Sequence, residues 1–409
     1  MSEVERAVER AYRESSGSIR ARLVRMLRDF ELAEEIVHEA FAAALGQWPG
    51  DGLPQEPSAW LMRTAQNKAI DLIRHRAGAV EKLGELAAWA RDFEAEEATF
   101  AVDDMLRLIF TCCHPAIAPE GQVALTLQTV CGLRSEEIAR AFLVPPTTMA
   151  QRLVRAKRKI RDAGIPYEVP DSVMLPSRVS SACTTVYLVF NEGYAATAGA
   201  ELVRGELCSE AIRLGRLLDE LLPGRADIEG LLGLMLLIDA RRATRVDAAG
   251  VPILLEDQDR SRWNGQEIAE GAALVQRSLR RGATSFGVQA AIAALHAQAP
   301  SSAATDWPQI VGLYDRLATL QQGPIVRLNR AAAVAMAEGP DAALRLLDEL
   351  AGEGALAEYH LFHAARADVL RRLGRSEAAL TAYRRALECV TNDPERRFLE
   401  RRIALLSAC

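Results

Sequence analysis

Apolar positions recur at steps of three and four along most of this chain, the period of helices packed along one face. In residues 3–28 they are Val4, Ala7, Val8 and Ala11, then Ile19, Leu23, Met26 and Leu27. A second helix is predicted over residues 30–45. Gly46, Pro49, Gly50, Gly52 and Pro54 then predict a loop. Pro57 and Ser58 open a third helix, with Ser58 as its N-cap. Leu61, Ala65, Ala69 and Leu72 form its buried stripe, and Arg63, Asn67, Asp71 and Arg74 a polar one.

Residues 78–104 change character. Glu81, Glu85, Asp92, Glu94, Glu96, Glu97, Asp103 and Asp104 stand against only Lys82 and Arg91, the composition of a solvated acidic linker. A helical bundle is predicted over residues 105–164, and Pro166, Pro170 and Pro176 mark a second boundary. From residue 177 the pattern is helical to the end. Ala331 to Gly339 to Ala343 and Leu347 repeats as Ala367 to Gly374 to Ala379 and Tyr383, with Ala386 following. The two glycines lie 35 positions apart, close to the period of about 34 of a tetratricopeptide unit. Before residue 320 the pattern is degenerate. The fold class expected is all-α.

Composition narrows the function. A chain of 409 residues allows two or three domains, and 49 % apolar residues supply their cores. No stretch approaches the roughly 20 apolar residues of a membrane span, and the acidic N-terminus lacks an apolar signal core, so a cytoplasmic protein without a membrane partner is expected. The net charge of −6 excludes a general nucleic-acid coat and shifts attention to local basic surfaces. The seven cysteines include no C-x-x-C pair and read as reduced, packed thiols. Cys112-Cys113-His114 lacks a second ligand pair nearby, so neither metal nor cofactor is expected.

The strongest local signal lies in residues 132–161, which read as helix, tight turn, helix. Ser135 is placed to cap the first helix, and Pro145 and Pro146 end it and start the next. In the second helix Met149, Leu153, Ala156 and Ile160 make one face, and Thr148, Gln151, Arg152, Arg155 and Lys159 another. Residues 147–161 hold six basic residues and no acidic one. Such a helix suits the major groove: Arg reads guanine edges, Gln reads adenine, and further cations hold phosphates.

These segments together resemble a known family. Trp60-Leu61 at a helix start, followed by Asn67, Asp71 and Arg74, looks like the promoter-melting helix of extracytoplasmic-function sigma factors. Residues 29–41, with Ala33-Glu34-Glu35, Glu39 and Phe41, are similar to the helix of sigma region 2 that docks on polymerase; His38 stands where Gln is usual. Residues 132–161 resemble region 4. The resemblance implies a region-2 helical bundle over 1–77, the acidic linker over 78–104 and a region-4 helix-turn-helix over 105–168. Residues 175–409 look like the tetratricopeptide-like extension of one subgroup, through Phe190 to Tyr194, Leu255 to Ser261 and Leu328 to Ala331.

By this resemblance the protein is expected to be a sigma factor and not an enzyme, with core RNA polymerase (the β′ clamp helices and the β flap) and promoter DNA as its partners. Asp29, Glu34, Glu35, His38 and Glu39 would face polymerase. Trp60, Arg63, Asn67, Lys68, Asp71 and Arg74 would face the −10 element, and Thr148, Gln151, Arg152, Arg155 and Lys159 the −35 element. Trp60 fits either a stacking surface for an unstacked base or a place in the core. The extension would regulate the sigma domains by intramolecular contact. A two-domain regulator with a helix-turn-helix and a repeat sensor explains residues 132–409 but leaves 29–76 unexplained. An enzyme would need Glu256, Asp257 and Asp259, or His360 and His363, as metal ligands, and the chain has no P-loop, nucleophile elbow or zinc-protease motif.

Overall fold

Helices form every long element of this computed structural model, which describes residues 3–77 and 97–407; two isolated bridges, Gly199 with Asn392 and Val246 with Pro252, are its only β pairings among them. The chain divides into two compact units, Met1–Thr185 and Val186–Cys409.

In the first unit α1 (Glu3–Leu27), α2 (Phe30–Asp51) and α3 (Pro57–Ala77) enclose Ile19, Leu23, Val37, Ala40, Leu61, Ala65 and Ala69, all fully buried. Asp29 starts α2 by accepting the amides of Glu31 and Leu32 at 2.9 and 3.1 Å. The loop expected from Gly46 onward is instead the last turns of α2, which runs through Pro49 to Asp51. Trp48 is buried there, edge-on to Trp60 with ring centroids 5.5 Å apart. That packing outweighs the one hydrogen bond Pro49 cannot donate. The helix ends at Gly52, whose positive φ of 86° lets its amide return to the Trp48 carbonyl.

The unit continues through α4 (Glu97–Cys112), α5 (Pro119–Thr129), α6 (Ser135–Ala141) and α7 (Pro146–Asp162). Leu108, Phe110, Leu125, Leu127, Ile138 and Met149 are among the most deeply buried of its apolar residues here. The expected acidic linker is corrected at its C-terminal end: residues 97–104 belong to α4, and Asp104 is 1 % exposed. Charge composition could not show that arginines of α1 would receive that carboxylate. Glu81, Glu85, Asp92, Glu94 and Glu96 lie outside the described residues. The helix α8 (Leu175–Tyr194) starts at the predicted boundary, and its first half belongs to this unit. There Arg178 donates to the Phe110 carbonyl and Thr185 to Gln122 at 3.0 Å.

The second unit comprises the rest of α8 with α9 (Gly205–Leu221), α10 (Ala226–Asp239), α11 (Gly265–Arg281), α12 (Ser285–Gln298), α13 (Trp307–Leu320), α14 (Pro324–Ala337), α15 (Pro340–Glu353), α16 (His360–Arg372), α17 (Ser376–Cys389) and α18 (Asp393–Ser407). Backbones approach closely around α10: a Cβ on Gly230 would fall 2.6 Å from the Gly287 amide nitrogen. The two glycine-marked repeats are helix pairs, α14 with α15 and α16 with α17. Gly339 and Gly374 turn them at φ 102° and 71°. Ala331, Ala343, Ala367, Ala379 and Ala386 are fully buried, the small residues that let such pairs pack. Among the described residues no helix is long and apolar enough to cross a membrane.

Candidate nucleic-acid interface

The helix-turn-helix forms as its apolar spacing predicts. Met149, Leu153, Ala156 and Ile160 of α7 are between 1 and 7 % exposed. Pro146 is its first residue, and Leu143, at φ 49°, closes the turn before it. The cap of α6 differs from expectation. Arg134 is the capping position, and its amide donates back to the Glu137 carboxylate at 2.8 Å. Glu137 reaches back to the helix start from three residues inside, so Ser135 becomes the first helical residue.

Gln151, Arg155 and Lys159 are exposed on α7, while Thr148 and Arg152 are half-buried. Arg155 reaches Gln151 at 3.5 Å. Arg152, Arg155 and Lys159 line one side of a cleft of about 470 Å³, whose other side is Ala118, Glu120 and Gly121 at the start of α5. Three cations against one carboxylate suit the backbone of a nucleic acid.

On α3, Arg63, Asn67, Asp71 and Arg74 are exposed along one stripe, with Asp71 and Arg74 3.7 Å apart. Lys68 leans to α2 and donates to Glu39 at 2.8 Å. Trp60 is half-buried against Trp48. Ser58 lies inside the first turn of α3 and is not its cap; its hydroxyl meets that of Ser15 at 2.5 Å.

On α2, Glu35, His38 and Glu39 are exposed, and Asp29 is occupied as the cap. Glu34 turns toward α7 and pairs with Lys157, the side chains being 19 and 13 % exposed. Burial raises the Glu34 carboxyl, but the Lys157 charge and hydrogen bond win and hold it below its ordinary value. Lys157 is absent from the sequence-derived site, although its place four residues after Leu153 and three before Ile160 puts it beside the apolar stripe. Asp104 was also missed as an organising residue. Its carboxylate lies 3.0 Å from Arg25, 3.6 Å from Arg107 and 3.9 Å from Arg22, and burial pushes it up to about 6 against all three.

Most of the residues weighed as metal ligands have other partners. His360 meets Glu395 at 2.7 Å, His363 the Ala357 carbonyl at 2.8 Å, and Glu256 lies 3.8 Å from Arg372. Among the described residues no group of three or more His, Cys, Asp or Glu is placed to hold a metal. Cys112 and Cys113 are buried, Cys112 within 3.0 Å of the Thr129 hydroxyl, and burial pushes the Cys112 thiol up to about 12. Burial likewise pushes Cys208 up to about 12, while Cys409 lies outside the described residues.

Residues 11–78 match the family Sigma-70 region 2, and residues 107–160 match Sigma-70, region 4. A protein of Mycobacterium tuberculosis described as probable ECF RNA polymerase sigma factor SigI is 28 % identical over 147 residues, 34 % of this chain and 50 % of that one. The two matches and this relative support a sigma factor of the extracytoplasmic-function type. This sigma factor carries an extension in which residues 178–279 match a family of unknown function, DUF6596. Uncharacterized protein R00370 of Rhizobium meliloti is 43 % identical over 393 residues, 94 % of this chain and 92 % of that relative, so the likeness runs through the extension. The region-2 match accounts for residues 29–76, which a plain two-domain regulator would leave idle. As a sigma factor the protein serves transcription initiation with core RNA polymerase and promoter DNA, and its families are DNA-binding regulators, not enzymes.

Proposed function

We propose that this sigma factor anchors on core polymerase through α2 and divides promoter recognition between α3 and α7. Residues 1–77 act as region 2, residues 105–168 as region 4, and the acidic residues up to 96 join them. In α7, Arg152 and Gln151 read base edges of the −35 duplex, with Thr148, Arg155 and Lys159 beside them on bases and phosphates. In α3, Arg63, Asn67, Asp71 and Arg74 take the unpaired −10 strand, Lys68 stands at their edge, and Trp60 supports the helix from behind. Glu34, Glu35, His38 and Glu39 face the β′ clamp helices, Asp29 orders their helix, and region 4 meets the β flap.

One observation carries this reading: α7 buries a complete apolar face and presents Gln151, Arg155 and Lys159 outward, in a stretch with no acidic residue from 147 to 161. Such a helix is fixed by its own domain and free to enter a groove.

The extension, 175–409, serves as a tetratricopeptide-like regulator of the sigma domains. Its support is the pair of helix hairpins turned at Gly339 and Gly374. Run-off transcription with core polymerase and genomic promoter fragments tests both parts. Full-length protein should start RNA synthesis at specific sites, and Arg152→Ala should reduce it, by about 5- to 150-fold for a loss of 1–3 kcal/mol, at promoters that depend on the −35 element. Comparison with residues 1–185 reads the effect of the extension; equal activity of the two would remove its regulatory role.

A further inference from the structure

Three arginines and a histidine gather in the second unit. Arg241 and Arg245 follow α10, Arg260 precedes α11, and His296 lies in the last turn of α12. The guanidiniums of Arg241 and Arg245 stand 5.8 and 5.2 Å from the centre of the Tyr194 ring at the end of α8. Arg260 lies over the Trp263 ring at 4.5 Å and donates to the His296 and Ala299 carbonyls. The group shares one electrostatic neighbourhood. Burial and then the Arg241 charge lower Arg260, and burial and then Arg241 and Arg260 lower His296.

Arginines close by have carboxylate partners. Arg242 lies 3.4 Å from Asp239, and Arg204 pairs with Glu192. Among the described residues Arg241, Arg245 and Arg260 have no ion-pair partner, and ring faces take its place. Glu395 feels the Arg245 charge but is already held by His360 and the Asn392 amide, both at 2.7 Å. Tyr194 is 8 % exposed and its hydroxyl has no hydrogen-bond partner; the Arg245 Nε and His296 Nδ1 atoms are likewise buried and unpaired. Gathered like charges and unpaired buried donors both cost stability. An oxyanion received among them would offset both costs at once.

We propose that Arg241, Arg245 and the Tyr194 hydroxyl form a binding site for the phosphate group of a small molecule, with Arg260 adding positive field. Guanidiniums present paired N–H donors that match phosphate oxygens in shape and charge. A phosphate near two negative charges balances two cations, where a carboxylate balances one. The setting selects an end group that enters and not a duplex lying across a surface, because Tyr194 is buried and all three arginines are half-buried. The stretches Phe190 to Tyr194 and Leu255 to Ser261, which promoter recognition leaves idle, each supply a residue here, Tyr194 and Arg260. None of these residues belongs to α2, α3 or α7, so the site stands apart from the DNA and polymerase surfaces.

Calorimetric titration of the full-length protein with inorganic phosphate, pyrophosphate and adenosine diphosphate, each at constant ionic strength, tests the site. Wild type should bind at least one of them at a single site per chain. Binding of adenosine diphosphate alone assigns a nucleotide, and equal binding of pyrophosphate assigns the phosphate group by itself; either supports the site. Arg241→Gln should weaken that binding about tenfold or more, the effect of losing a charged hydrogen-bond donor. Arg327→Gln, which removes an exposed arginine paired with Glu353 at 2.7 Å in the same unit, should bind as wild type does. Without ligand, Arg241→Gln should melt no lower than wild type, since it relieves repulsion and breaks no hydrogen bond. The site is overturned if wild type binds none of the three, if Arg241→Gln binds as tightly as wild type, or if Arg327→Gln loses as much. It is also overturned if a polyglutamate peptide binds where the phosphates do not.

Discussion

Arg20 and Thr129 are joined by a buried hydrogen bond of 2.6 Å, guanidinium to carbonyl, across 109 positions of sequence. The carbonyl ends α5, where helical partners run out and a cation is favoured. Arg20→Ala removes this contact and the 3.2 Å one to Gln128, leaving buried carbonyls unpaired. The expected loss is about 2–3 kcal/mol. Calorimetry should show one transition lowered, with the other unmoved as befits a protein of two units.

Arg152 and Lys159 share the cleft beside α5 but have different exposures, half-buried and open. Arg152→Ala should cost roughly 1–3 kcal/mol on the preferred −35 duplex and relax its sequence preference. Lys159→Ala should weaken binding evenly across sequences and reduce the salt slope by about one. Titrations of specific and scrambled duplexes at several salt concentrations separate the two.

Trp60 packs edge-on to Trp48, so its first contribution is to the fold of region 2. Trp60→Ala should destabilise that packing by about 3 kcal/mol or more, whereas Trp60→Phe keeps an aromatic edge and most of the stability. Thermal melting reads the stability, and permanganate footprinting at −10 shows whether DNA opening falls only where the fold does.

His296 in the second unit is held neutral. Burial lowers it to about 4, with Arg241 and Arg260 adding repulsion, and its ring stands edge-on to Trp307 at 5.1 Å. A depressed base binds fewer protons folded than unfolded. Its contribution is therefore intact above the unfolded value near 6.5 and is lost as pH falls toward about 4. His296→Phe should flatten the acid-side loss of stability between those values, measured by melting temperature against pH.

Much of this was legible from periodicity. The steps of Met149, Leu153, Ala156 and Ile160 named the buried face of α7, and Leu61, Ala65 and Ala69 that of α3, because a helix fixes which residues share a side. Gly339 and Gly374 announced their turns through the conformation they adopt. Composition misled where a tertiary partner decided. Gly46 to Asp51 read as a loop although Trp48 packs on Trp60, and Asp104 read as solvated because Arg22 and Arg25 lie some 80 positions away. Ser135 and Ser58 were sensible caps displaced by Glu137 and by a proline-led start. Lys157 resembled its five basic neighbours, and no local pattern named Glu34 as its partner.

The sealed cysteines give the molecule its own reporters. Only a thiolate attacks an alkylating reagent, and Cys112 and Cys208, both pushed up to about 12, hold almost none while they stay enclosed. One sits in each unit, so labelling of Cys112 marks exposure of the first and labelling of Cys208 that of the second. Mass spectrometry of briefly alkylated protein would time those exposures separately, with no engineered residue needed.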